Sequence, residues 1–201
     1  MQNALSQPDR TSADRLSTIR MDKPARQHPN FGEIARLQPA IRAPELAEFL
    51  RHYASIHPYD RLPALADFKL AARPYLQRFC LTIAPEAGFM PQHAGEGRLS
   101  FRIIGAGSEI TRAFPFPLAN RLVDDITTQD DPGFRYAASI ATDVMKRRQI
   151  AHYRGPARLT DSEAFAVVEY CSCPFAADGH TVDHIVAAMI YQESPDIPDG
   201  I

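Results

Sequence analysis

Two apolar runs near the C-terminus, residues 164–175 (AFAVVEYCSCPF) and 182–192 (VDHIVAAMIYQ), are rich in β-branched and aromatic side chains and flank the pair Asp178-Gly179. This pattern predicts an antiparallel hairpin, because a two-residue type I′ turn needs positive φ at both central positions and Asp-Gly supplies them. A turn at 178–179 sets Ala177 opposite His180 and Pro174 opposite Asp183. It sets Cys173 opposite His184, Cys171 opposite Val186 and Glu169 opposite Ala188; on the other face Tyr170 meets Ala187 and Val168 meets Met189. Both faces are apolar, so both are expected to be covered, one by helices and the other by a partner or a terminal segment.

Upstream, Leu46, Phe49, Leu50, Tyr53 and Ile56 recur at helical spacing behind Pro44-Glu45, which predicts a helix to about His57, ended by Pro58. Its stripe packs on the domain's own sheet or, in a sharper reading, forms a dimer. Residues 61–72 read as a Pro-punctuated connection with a short helix, and 74–77 as a further turn. Phe79 to Ala84 reads as the first strand. Arg98 to Ile104 reads as the second, with Leu99, Phe101 and Ile103 on one face. Gly105-Ala106-Gly107 breaks that strand, and Ser108 caps a short helix. Phe114-Pro115-Phe116-Pro117 cannot be helical. Asp131-Pro132 opens a long helix with the stripe Phe134, Ala137, Ala138, Ala141, Val144 and Met145, and Lys146 to Arg148 suit its C-terminal end. A third strand from Ile150 to Leu159 and a turn at Asp161-Ser162 lead into the hairpin.

Residues 1–43 are polar, Arg- and Pro-rich and carry only isolated apolar side chains, so a mobile tail is expected there, a domain over 44–192, and a frayed end over 193–201. The 201 residues, 45% of them hydrophobic, suffice for one core, and a net charge of −2 gives no nucleic-acid or membrane footprint. No segment approaches the roughly 20 apolar residues of a membrane span, and no apolar leader precedes the domain, so a cytoplasmic location is expected. Three cysteines do not make a disulfide framework.

Cys171, Cys173, His180 and His184 form the spacing C-x-C-x6-H-x3-H. Four strand residues separate the two histidines by about 13 Å, too far to share an ion, so buried apolar cysteines are preferred and no metal is assigned. Gly105-Ala106-Gly107 lacks the third glycine and βαβ context of a nucleotide loop. Asp124-Asp125 and Asp130-Asp131 read as turn and cap residues, and no residue stands in a nucleophile-elbow context.

The element order is helix, two strands, short helices, one long helix and three antiparallel strands. Together with Leu62-Pro63 and Asp67, the run Phe101-Arg102-Ile103-Ile104-Gly105, and Pro174-Phe175 followed by Asp178-Gly179 and Val182-Asp183, it resembles the small stand-alone PAS-like proteins of bacteria, frequent in alphaproteobacteria, over residues 45–192. The chain departs from that pattern at Phe114 to Leu118 and at Cys171 and Cys173. The resemblance implies an α+β fold: a five-stranded antiparallel sheet closed by pairing of the first and last strands, with helices on one face and an N-terminal flanking helix. It also implies a non-enzymatic sensory module that binds a small molecule or a signalling protein, works as a homodimer and relays a conformational change. Pocket walls are then expected from Phe101, Ile103, Phe134, Ala138, Ala141, Tyr170 and Ile185. Flavin-binding relatives carry a Cys after the second strand and haem-binding ones a His on the long helix; residues 108–149 contain neither, so no cofactor is expected. The rival reading is a small α+β cavity enzyme of isomerase or dehydratase type with Asp183 or His152 as base.

Overall fold

Five antiparallel strands pair in the order β2-β1-β5-β4-β3: β1 (Cys80–Pro85), β2 (Phe101–Ala106), β3 (Ala151–Arg158), β4 (Phe165–Phe175) and β5 (His184–Glu193). The first and last strands meet at the centre, Leu81 opposite Ala187 and Ile83 opposite Ile185. This is the five-stranded antiparallel α+β arrangement that the resemblance implies. The computed structural model describes residues 27–86, 99–114, 116–126, 137–158 and 165–193. Phe134, the cap at 131–132, the turn at 161–162 and the C-terminal segment beyond 193 lie outside them.

The hairpin forms, with a correction to its register. Phe175 pairs with His184, Cys173 with Val186, Cys171 with Ala188, Tyr170 with Met189 and Glu169 with Ile190, two residues displaced from the expected pairing. A shift of two keeps every side chain on its face, whereas a shift of one would have inverted the sheet. The cause lies in residues 176–183, which form a longer loop than a two-residue turn. Gly179 N–H donates to Ala176 O, and Asp178 Oδ1 accepts from His180 and Thr181 N–H. Leu62 N–H donates to Gly179 O and Ala176 N–H to Pro63 O, so the loop is moulded on the distant segment 61–63. Gly179 has φ +77°, and a Cβ there would approach Arg61 Cδ to 2.8 Å, which reserves the position for glycine.

The sheet is covered on both faces. On one lie the short helices α5 (Ser108–Arg112) and α6 (Val123–Ile126) and the long α7 (Ala137–Arg147). On the other lie α1 (Asn30–Leu37) and α2 (Pro44–Ile56), with α3 (Leu65–Phe68), a 3₁₀ turn (Leu70–Ala72) and α4 (Pro74–Gln77). Pro44 starts α2 in the first helical turn, and Leu46, Phe49, Leu50 and Tyr53 are fully buried. The α2 stripe is therefore spent on the chain's own sheet. The expected tail ends earlier than residue 43. α1 buries Ile34 and Leu37, and Asn30 Oδ1 accepts from Ile150 N–H while its amide donates to the Tyr53 hydroxyl, which in turn donates to Pro174 O. Residues that look isolated along the chain thus meet partners more than a hundred positions away.

A buried carboxylate fastens this N-terminal layer. Glu169 on β4 is wholly buried, and its oxygens accept from Arg42 N–H at 2.9 Å, Ala43 N–H at 3.0 Å and His152 Nε2 at 3.0 Å. Burial alone would raise its pKa, but these hydrogen bonds outweigh burial and hold it below the usual carboxylate value. The second strand also differs from expectation. It runs on through Ala106, opposite Leu81, with a bulge that leaves Ile104 unpaired and half-exposed. Gly107, not Ser108, is the cap of α5, and a Cβ on Gly107 would meet Gln77 O at 2.1 Å.

Replacing Glu169 by Gln puts an amide where two backbone donors need an acceptor, and a loss of about 2 kcal/mol in urea unfolding is expected; a midpoint equal to wild type would contradict the clamp. His28, buried beside His57 with ring centroids 5.0 Å apart, has its pKa lowered to about 4, first by burial and then by His57 and Arg148. The unfolded chain accepts a proton near pH 6.5 that the folded chain refuses, so stability should fall as pH drops from about 6.5 toward 4. His28→Gln should flatten that limb in pH-dependent denaturation.

Candidate functional site

Between the sheet and α7 the side chains do not close. A cavity of about 40 Å³ remains, walled on the helical side by Ala137, Ile140 and Ala141 of α7 and Val123 of α6. On the sheet side it is lined by Leu81 and Ile83 of β1, Tyr170 and Ser172 of β4, and Ile185, Ala187 and Met189 of β5. Alternation along the strands explains this set, since residues 170 and 172 and residues 185, 187 and 189 share one face of the pleat. Side-chain size explains the space. Ala137 and Ala141 come down from the helix onto a sheet surface that is itself shortened at Ser172 and Ala187.

The lining is apolar apart from two hydroxyls. Tyr170 is 6% and Ser172 5% exposed. Burial, and then the neighbouring Tyr153 ring stacked at 5.3 Å, push the Tyr170 phenol well above its ordinary value, so it stays protonated at any physiological pH. No charged side chain is among the residues that wall the cavity.

Of the positions expected to form a pocket, Ala141, Tyr170 and Ile185 line this cavity. Phe101, Ile103 and Ala138 belong to the same apolar cluster and are fully buried, but are not among the lining residues. Phe134 falls outside the described residues. Ser172, Ala187 and Met189 share the hairpin face of Tyr170 and Ile185 and line the cavity with them. Leu81 and Ile83 follow from the pairing of β1 with β5.

The other candidate groups lie elsewhere. Asp183 Oδ2 accepts from Ala177 N–H at 2.7 Å and its Oδ1 sits 2.8 Å from His184 Nδ1, so this carboxylate is engaged in the hairpin loop. His152 points to the opposite face of the sheet, onto Glu169. Neither is among the residues that line the cavity. Cys171, Cys173 and Cys80 are buried under α2, in the second core. Burial pushes the Cys80 thiol up to about 12; burial and then Glu169 push Cys171 to about 12 as well. Cys173 faces Val186 rather than His184, and His180 is exposed on the loop. No group of three or more His, Cys, Asp or Glu stands in metal-holding geometry among the described residues. No helix among them is long and apolar enough to cross a membrane.

The chain matches no protein-family profile and no curated protein. Among solved structures it is similar to the Rhodobacter sphaeroides LOV protein, with 8% identity and a TM-score of 0.40 over 66% of this chain and 71% of that one. A structure of a point variant of RsLOV is similar at 10% identity and a TM-score of 0.40, over 61% of this chain and 65% of that one.

Because the cavity is bounded by missing methyl groups, Ala187→Val should fill part of it. A gain of about 1 kcal/mol in urea unfolding is expected; a loss of similar size would mean that the site is already closely packed.

Proposed function

We propose that this chain is a PAS-like sensory module, not an enzyme, in which a small molecule held between the sheet and α7 alters how that helix packs and so changes the surface offered to a signalling partner. The observation that carries this reading is the apolar cavity under an alanine-lined helix, with no carboxylate, histidine or cysteine among its lining residues. Size supplies the coupling. An apolar cavity of about 150 Å³ admits benzene, while this one measures about 40 Å³. A ligand of more than a few heavy atoms therefore needs the walls to give, and α7 is the wall that we propose moves. Binding energy and helix displacement become one event, and a ligand that prefers the displaced packing shifts its population.

α7 is suited to such movement. It packs on β4, β5 and α6 with Ala138 and Ala141 at its N-terminal half and Val144 and Met145 further on, whereas α2 on the opposite face is anchored by Phe49, Leu50 and Tyr53. At the alanine positions fewer contacts are surrendered as the helix lifts.

Amide hydrogen exchange of the full chain with and without saturating benzene tests this. Altered exchange in residues 137–147, with residues 44–56 unchanged, is expected. No change over 137–147, or equal change over both helices, would overturn the coupling.

A further inference from the structure

We propose that the N-terminal layer carries a proton-gated latch: protonation of the buried pair His28 and His57 breaks the hydrogen-bond network around Asn30 and lifts residues 28–37 from the sheet, while α2 and the strands stay in place. The geometry assigns the protons of that network. Asn30 is fully buried, and its Oδ1 accepts from Ile150 N–H at 3.2 Å. Its amide nitrogen, the donor, lies 3.3 Å from the Tyr53 hydroxyl oxygen and 3.3 Å from His57 Nε2. Pro58 O stands 2.7 Å from His57 Nδ1 and offers no proton, so a neutral His57 carries its proton on Nδ1 and accepts at Nε2. Asn30 N–H donates to His28 Nδ1 at 3.3 Å, so His28 is an acceptor as well. None of these residues lines the cavity under α7, so the latch is independent of the ligand reading.

Each imidazole therefore gives its one lone pair to Asn30. A second proton on either ring sets N–H against N–H at a buried site, where an unmatched donor and an unpaired charge are both unfavourable. The surrounding groups do not offset this. His28 meets the His57 ring at 5.0 Å and the charge of Arg148, and Phe31 and Tyr53 present their rings to His57. No carboxylate is among the groups acting on either ring, and burial holds both below the usual imidazole value. The released histidines take up protons near pH 6.5 that the closed layer refuses, so closure is favoured above that pH and weakens as pH falls toward the value of about 4 that His28 has when closed. The other end of the layer responds differently. Arg42 and Ala43 N–H bond to Glu169, whose carboxylate is held below its usual value and stays ionised over that range. Acid thus frees α1, with the Ile34 and Leu37 side chains that it buries, and leaves it tethered at Ala43.

Amide exchange of the full chain at pH 7.5 and pH 5.5, expressed as protection factors, tests the latch. Over that range each histidine that titrates only on release weakens closure about tenfold. Protection over residues 30–37 should then fall by about a hundredfold in wild type, about tenfold in His28→Asn or His57→Gln, and less than about threefold in the double variant. Asn at 28 and Gln at 57 keep an acceptor for Asn30 but take up no proton. At pH 5.5 residues 30–37 of wild type should be at least about tenfold less protected than residues 165–175 and 184–193, whose retained protection reports a folded domain. A wild-type fall below about threefold over residues 30–37, or protection there equal to that of the two strands at pH 5.5, would overturn the latch whether or not the variants fold. A folded double variant that keeps the wild-type fall would overturn it as well.

Discussion

The ladder between β4 and β5 constrains everything else in this chain. It pairs ten residue couples from Ala166–Glu193 to Phe175–His184, and almost every side chain along its middle is apolar on both faces. A sheet of that kind is unstable with either face in water, so the chain needs two covers. It builds one from α5, α6 and α7 and the other from the N-terminal helices, and each encloses its own core. Glu169 sits where this demand is sharpest. It is a carboxylate on an otherwise apolar face, tolerated because Arg42, Ala43 and His152 supply three donors.

The two covers differ in kind. The N-terminal layer uses large rings, with Tyr53, Phe68 and Phe175 in edge-to-face contact at 5.2–5.4 Å, and a buried polar network through Asn30. Such packing is close and directional. The α7 layer uses alanines over Ser172 and Ala187 and leaves space. On the proposed reading, a ligand that needs room finds it under α7.

Much of this was legible in the sequence because it is local. The α2 start at Pro44, the stripe Leu46-Phe49-Leu50-Tyr53, the alternation of Leu99, Phe101 and Ile103, and the facing of every hairpin residue follow from period and cap chemistry. What escaped was decided at long range. The Asp178-Gly179 pair reads as a two-residue turn until Leu62 and Pro63 bind the loop and lengthen it. Residues 28–43 look too sparse to fold until Tyr53, Ile150 and Glu169 meet them. Three of the seven expected pocket residues line the cavity; Phe101, Ile103 and Ala138 share its cluster without reaching the space, since apolar periodicity identifies a core but not the gap left within it. That gap depends on which small residues come down opposite one another, and this follows only from the β1–β5 pairing and the seating of α7.

Xenon binding addresses the central point most directly, because xenon occupies apolar cavities without needing polar partners. A crystal of the full chain pressurised with xenon should show one atom between Ala141 and Ala187, beside Tyr170. Xenon placed instead among Phe49, Phe68 and Phe175, with none under α7, would contradict the assignment of the working side.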